Sequence, residues 1–455
     1  MSSRGKSMPY EERLWCIEQK KAGKTNGEIA LEIGWSESVV RKWWRVYQKK
    51  GEIGLSPKMG RPRAGALSTF SPELRSHVEQ VRTDKPGWGP ITLLEELKGL
   101  PGFSKSRLPS RARIAAFLKE KGLVRKYKRH AGFPATRPEA VKEPHDEWEM
   151  DAQGRQTVTG LGEVCVINIV DVISHLKVES YPHFLETSLR WQDYQLTLRR
   201  AFTQYGLPKQ ITLDHDTVFF DNTSRSPYPS RLHLWLVALG VPVIFIEKRP
   251  PLQHAMVERG HQTMTAQTII GQIWTSQSLL WQELDKRREF LNNTYPSRTL
   301  SYRAPLEVFP AANHSRRYYR PEWEEESLDL NRIYTFLADG RWFRETNVHG
   351  QFDLGTYRYN AKRAAAHTTQ EITFDSVSCQ FCAKTVGTDN TQKFPAKGLT
   401  KADLMGESPA FARIPHYQQA LSFSREVWRQ NTLIQMTNRA TTLRDMLKCG
   451  EGTTL

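Results

Sequence analysis

The chain has 455 residues, of which 38% are hydrophobic and 25% charged, with a formal net charge of +16. It is too long for one ordinary domain, so roughly two to four folded units are expected. The opening MSSRGKSMPYEER lacks the apolar core of a secretory signal, and the longest apolar run, LHLWLVALGVPVIFI, is too short to span a bilayer, which excludes an export signal there and a membrane role.

The charge is uneven. Residues 1–140 hold 29 Lys and Arg against 14 Asp and Glu, while the remainder holds 36 against 35. A localised basic field suits a polyanion, with salt-dependent binding through counterion release. Five scattered cysteines (Cys16, Cys165, Cys379, Cys382 and Cys449) are the usage of a reducing compartment. The expectation is a cytoplasmic protein.

Residues 1–54 predict a helix-turn-helix. Ile29, Leu31 and Ile33 mark a short helix that Gly34 ends. Ser36 then caps a second helix carrying Val39, Val40, Trp43, Val46 and Tyr47. Arg41, Lys42 and Arg45 lie on this second helix, where a recognition helix reaches bases or phosphates. A helical pair that only packs is the plainer alternative, and the local basicity favours DNA. Residues 55–70 read as a Pro- and Gly-rich linker. Its GRPR, with Arg61 and Arg63, also has the composition of a minor-groove arm. Residues 71–130 predict a second helix-turn-helix or winged-helix-like module, with Ser110 as a cap before Arg111, Arg113, Ile114 and Phe117. Two modules in series read a longer site through avidity.

From about His145 the texture becomes α/β. EWEMDAQGRQTVTG and EVCVINIVDVISHLKVESYP read as paired strands, and helices then alternate with the strands KQITLDH and VPVIFIEK. That order predicts a mixed sheet covered by helices over residues 140–312. The acidic run in RRYYRPEWEEESLD marks a domain boundary. Residues 328–400 then predict a small β-barrel and 401–455 a helical tail.

Three carboxylates stand at strand ends or on a facing helix: Asp151, Asp214 and Glu258. Such a trio can hold two hard divalent cations about 4 Å apart for in-line phosphoryl transfer. Taken singly, each has a bland reading, since Asp at a strand end usually caps a turn and Glu on a helix usually faces solvent. On the same helix, His254, His261 and Gln262 share the Glu258 face. Their spacing is not that of a His-Glu-x-x-His zinc site. His261 and Gln262 read instead as DNA contacts. Asp171 reads as structural or supporting, Asp216 as a turn cap or a metal contact, and Asp221 as a loop residue. The lone Cys379-Gln-Phe-Cys382 reads as packing.

In chain order, WEMD with Asp151, NIVDVISH with Asp171, LDHDTVF, ALGVPVIFI, RPPLQHAMVERGHQTM and NNTYPSRTLSYRAPLEVF resemble an insertion-sequence transposase. The core of that family is a retroviral-integrase-type DDE domain of RNase H-like fold. The resemblance implies Asp151, Asp214 and Glu258 as the catalytic, metal-binding triad, with two Mg2+ ions and Mn2+ as a substitute. It also implies binding of terminal inverted repeats and target DNA, 3′-end cleavage, strand transfer, and a homo-oligomeric synaptic complex. The barrel and tail would bind DNA or neighbouring protomers. A bacterial, nucleoid-associated location follows from the same resemblance.

The spacing of five residues to Phe219 selects Asp214 over Asp216 as the family's second Asp. His215 and Asp216 depart from the family's Asn-Gly, and His254-Ala255 departs from the Asn-Gly that precedes the Glu in many relatives. The interval from Asp214 to Glu258 is longer than in retroviral integrases, with DNTSRSPYPS as an extra loop. These departures support one alternative, a non-catalytic, sequence-specific DNA-binding regulator that kept the fold, against which the three retained carboxylates argue. A second alternative, a metal-dependent nuclease, differs only in lacking strand transfer.

Overall fold

A computed structural model describes residues 8–56, 65–104, 107–124, 141–185, 188–216, 218, 219, 221, 224–246 and 255–406. The chain divides into two compact units. One comprises residues 1–75 with 116–122, the other 76–115 with 123–455.

The first unit opens with α1 (Tyr10–Lys21), α2 (Asn26–Ile33) and α3 (Glu37–Lys50). Thr25 and Glu28 cap the start of α2 reciprocally, and Gly34 closes it in the left-handed region at φ 75°. Ser36 starts α3 as expected of its position, but its hydroxyl bonds to Ser38 rather than to a backbone N–H. Met8, Cys16, Ile29, Ala30 and Val40 are the small core. Leu31, one of the apolar residues that mark α2, is exposed. The buried Arg13 is held by the carbonyls of Met8 and Leu55, with its guanidinium 3.9 Å from the Trp43 ring.

Next come α4 (Pro72–Asp84), α5 (Pro90–Gly99) and α6 (Arg111–Glu120). Between α4 and α5 the chain turns at KPGWG. There the Trp88 indole donates to Gln267 O at 3.0 Å, and the Arg287 guanidinium lies 4.3 Å from its ring. A Cβ on Gly87 would fall 1.4 Å from Ala266 O, so only glycine allows this approach. This connection is therefore packed on the helices that follow the core sheet rather than exposed as a free arm.

The core sheet is built from β1 (Glu147–Val158), β2 (Gly162–Asp171), β3 (Lys177–Phe184), β4 (Gln210–Leu213) and β5 (Val243–Phe245). Its order is β3-β2-β1-β4-β5. The first three are antiparallel, and β4 and β5 run parallel to β1. This is the mixed sheet expected from the sequence. One face is apolar: Trp148 and Met150 of β1 and Ile167 and Ile169 of β2 join Ile211 and Leu213 of β4. Helices α7 (Trp191–Tyr205) and α8 (Arg231–Ala238) cover it, with Phe202 stacked between Trp148 and Trp235. Helices α9 (Ala255–Thr268) and α10 (Gln277–Asn293) cover the other face, where Met264, Leu280 and Leu284 meet Val164 and Val166.

Beyond the sheet lie the short helices α11 (Pro305–Val308), α12 (Glu324–Ser327) and α13 (Leu330–Ala338). The acidic run is no free boundary at Glu324, which is fully buried. It accepts from Arg199 Nε at 2.7 Å, from Trp235 Nε1 at 3.0 Å and from the Tyr319 hydroxyl.

Strands β6 (Trp342–Glu345), β7 (Gln351–Leu354), β8 (Tyr357–Asn360), β9 (Thr369–Asp375), β10 (Gln380–Thr385) and β11 (Thr391–Pro395) follow, then α14 (Lys401–Met405). They form a four-stranded sheet in the order β11-β10-β9-β6 and a separate β7–β8 hairpin. The expected barrel is thus corrected: among the described residues no sheet closes, because β6 skips its sequence neighbour to pair with β9. Cys379 sits in a turn at φ 52° against the apolar cluster, and Cys382 lies in β10. Of the expected helical tail, α14 is seen, and residues 407–455 lie outside the described residues. No described helix is long and apolar enough to cross a membrane.

Candidate active site

Side chains alternate along a strand, so the residues opposite to Trp148 and Met150 share the second face of β1: Glu147, Glu149 and Asp151. Strand β4 pairs with β1 in parallel, Glu147 with Gln210 and Glu149 with Thr212. The Thr212 hydroxyl donates to Glu147 at 2.5 Å, which confirms the shared face. Continuing this register by two residues brings Asp214 level with Asp151, just where β4 ends.

The Asp214 carboxylate accepts from the Asp216 N–H at 3.1 Å, while Asp216 in turn accepts from Val218 N at 3.3 Å. Phe219 is buried against Tyr194, with ring centroids 4.6 Å apart, and pins this turn. Burial pushes the Asp214 carboxyl above the usual carboxylate range. The Asp216 N–H opposes that rise, and the negative charges of Asp151 and Asp216 add to it. A buried carboxylate whose ionisation is opposed by neighbouring negative charge is the electrostatic setting in which a divalent cation is stabilising.

Helix α9 runs alongside β1 in the same direction. Glu149 Oε2 accepts from Val257 N at 3.1 Å, His261 Nε2 meets Asp151 Oδ2 at 3.1 Å, and the Thr265 hydroxyl donates to Gln153 at 2.8 Å. Four residues of helix rise about 6 Å and two of strand about 6.6 Å, so the two elements stay in step. A Cβ on Gly260 would touch Val170 and approach Lys177, which places that flank of α9 toward β2 and β3. Glu258 is about 160° away around the helix. It is exposed, on the side of the helix away from the Gly260 flank. Among the described residues, no three of His, Cys, Asp and Glu form a ready-made metal cluster.

His261 has a different place from the one expected. It is only 7% exposed, and its second ring nitrogen, Nδ1, meets Asn168 Nδ2 at 2.7 Å. Both ring nitrogens meet groups within the protein. Gln262, beside it, is exposed and accepts from Arg259 at 3.4 Å. Asp171 lies on the opposite face at the far end of β2, fully buried, and takes the N–H groups of His145 and Ser174 and the Ser174 hydroxyl. It is structural. Asp221 pairs with Arg344 at 3.2 Å and ties its loop to β6.

On α3, Arg41, Lys42 and Arg45 are exposed, with Arg41 3.6 Å from Glu37. Arg111 is exposed at the start of α6, 5.7 Å from the Tyr302 ring, and Arg113, two residues on, is partly buried. Arg61, Arg63 and His254 lie outside the described residues. Sequence reasoning missed Asn168 and Glu149. A polar Asn in the middle of the apolar VCVINIV was the available signal for the first.

Residues 12–63 match the family described as a helix-turn-helix domain, in agreement with the fold of α2 and α3. Two solved structures are similar to the chain at low level. The HTLV-2 integrase catalytic core domain in complex with magnesium, in trimeric form, is 14% identical. The match covers 37% of this chain and 97% of that one, with a TM-score of 0.27. The simian T-cell lymphotropic virus intasome in complex with the PP2A regulatory subunit B56 gamma is 12% identical. It covers 71% of this chain and 96% of that one, with a TM-score of 0.31. Both likenesses are too weak to fix the fold of this chain, which rests on its own strand order and register.

Proposed function

We propose that the chain is a transposase of the DDE type, which binds the ends of a DNA element, cuts them and joins them to target DNA. One observation supports this reading: the parallel β1–β4 register, which, continued by two residues, brings Asp151 level with Asp214. Asp151, Asp214 and Glu258 would hold two Mg2+ ions, or Mn2+ in their place. Bound there, the cations supply activation of the attacking oxygen and charge stabilisation at the leaving one. The donor set suits them, being hard carboxylate oxygens on a polar, half-open face.

The chain's own residues do the rest. Glu149 fixes the start of α9, so that Glu258 is carried at a set height along β1. Phe219 anchors the turn that presents Asp214. On the helix-turn-helix, Arg41, Lys42 and Arg45 meet DNA phosphates or bases, and Arg111 and Arg113 extend the contact. Joining two ends requires a multimer that holds both.

The test is a strand-transfer assay with labelled end DNA, taken from inverted repeats flanking the gene, in Mg2+. Wild type is expected to cut and join. Asp151→Ala, Asp214→Ala and Glu258→Ala should each cost more than about 100-fold, beyond the 10–100-fold usual for groups that only support a metal ligand. Cleavage without joining would make the chain a nuclease. Specific binding with neither activity would make it a regulator.

A further inference from the structure

We infer that His261 is a positioning residue for Asp151, itself held in one tautomer by a buried chain of hydrogen bonds through Asn168 and Ser180. The inference rests on the reading of Asp151 as a metal ligand. The pairing of the strands aligns the parts: Asp151 lies opposite Asn168 on β2, and Asn168 opposite Ser180 on β3. The three side chains form a row across one face of the sheet, and His261 descends on that row from α9. Asn168 is 1% exposed and Ser180 3%.

The direction of each hydrogen bond follows from the chemistry of its ends. An ionised Asp151 carboxylate only accepts, so His261 Nε2 carries the hydrogen across the 3.1 Å contact. The Nδ1 atom faces the amide nitrogen of Asn168 at 2.7 Å, which donates, so Nδ1 is the bare nitrogen. Asn168 can present that nitrogen because its oxygen is taken by the Ser180 hydroxyl at 2.5 Å. Ser180 thus orients Asn168, Asn168 sets the tautomer of His261, and His261 fixes Asp151 Oδ2. Among the described residues Asp151 Oδ1 accepts no hydrogen bond, so one carboxylate oxygen is positioned and the other left for a ligand. Histidines bound directly to metals are held in the same manner by a partner on their second nitrogen. Here the histidine stands one step further out, behind the carboxylate. The Glu149 and Gln153 contacts bracket it on α9 and keep its height fixed.

The experiment uses the full chain and Mn2+ as the probe, with free Mn2+ followed by electron paramagnetic resonance. Thermal midpoints of the metal-free proteins and 15N spectra of histidine-labelled protein are recorded in parallel. His261→Ala is expected to weaken Mn2+ binding by about 10–100-fold. Asn168→Ala, which leaves both Asp151 and His261 in place, should weaken it in the same direction by less. The wild-type spectrum should contain a neutral, Nε2-protonated imidazole that vanishes in His261→Ala and shifts toward a tautomer mixture in Asn168→Ala.

A purely structural role would lower the metal-free midpoints while leaving Mn2+ affinity and tautomer unchanged, and would overturn the inference. If Asp151→Asn abolishes Mn2+ binding but His261→Ala and Asn168→Ala bind as wild type, the positioning role fails and the catalytic reading stands. If Asp151→Asn binds as wild type, Asp151 is no metal ligand, and both fall. Should His261→Ala not fold, Asn168→Ala decides by the same two readouts.

Discussion

The two faces of β1 divide stability from chemistry. Trp148 and Met150, both fully buried, pack into the apolar cluster with α7 and α8. Glu147, Glu149 and Asp151, interleaved with them, meet Thr212, the start of α9 and His261. A strand that alternates this strictly holds a cluster of negative charge rigidly, because the opposite side of the same backbone is buried under helices. Loops could carry the same carboxylates, but not in a register fixed to neighbouring strands.

Breaking the apolar face should produce the largest effect on the fold. Trp148→Ala removes a buried ring stacked on Phe202. It is expected to cost about 3–5 kcal/mol in urea unfolding, with the loss shared by every activity of the chain. Asp151→Asn on the other face should leave urea stability nearly unchanged while metal-dependent cutting disappears. The smallest effect belongs to Asp216→Gly. Asp214 is held by the backbone N–H of Asp216, which glycine retains, and the Asp216 carboxylate accepts from Val218 N within the same turn. Joining is expected to stay near normal, with about 0.5–1 kcal/mol of stability lost to backbone freedom. A strong loss of joining would instead place the Asp216 carboxylate in the chemistry and blur the division.

The same contrast explains what could be read from the sequence. The β-branched and turn residues of EWEMDAQGRQTVTG and the end of KQITL were enough to read strands bearing Asp151 and Asp214, because both signals are local. The face of α9 shared by Glu258 and His261 was also legible. Which part of that face lies against β1 was not, since it depends on pairing between residues about a hundred apart. His261 therefore read as a DNA contact and proved to be buried on Asp151. Glu324 read as part of an acidic boundary run because its partner Arg199 is remote in sequence. The C-terminal strands were recognisable one by one, but closure into a barrel depends on which strands pair, and β6 pairs with β9. Nothing local to KPGWG shows that Trp88 meets Gln267 and Arg287, which lie far along the chain.

The central claim is that Asp151 and Asp214 act together as a cation site, and thermal unfolding of the full chain with and without Mn2+ tests it most directly. Wild type should unfold at a higher temperature with Mn2+ present, because binding to the folded state alone stabilises it. In the Asp151→Asn, Asp214→Asn double variant, the metal-free midpoint should equal or exceed that of wild type, since the like charges are gone, and Mn2+ should no longer raise it. An equal rise with Mn2+ in wild type and in the double variant would contradict the account.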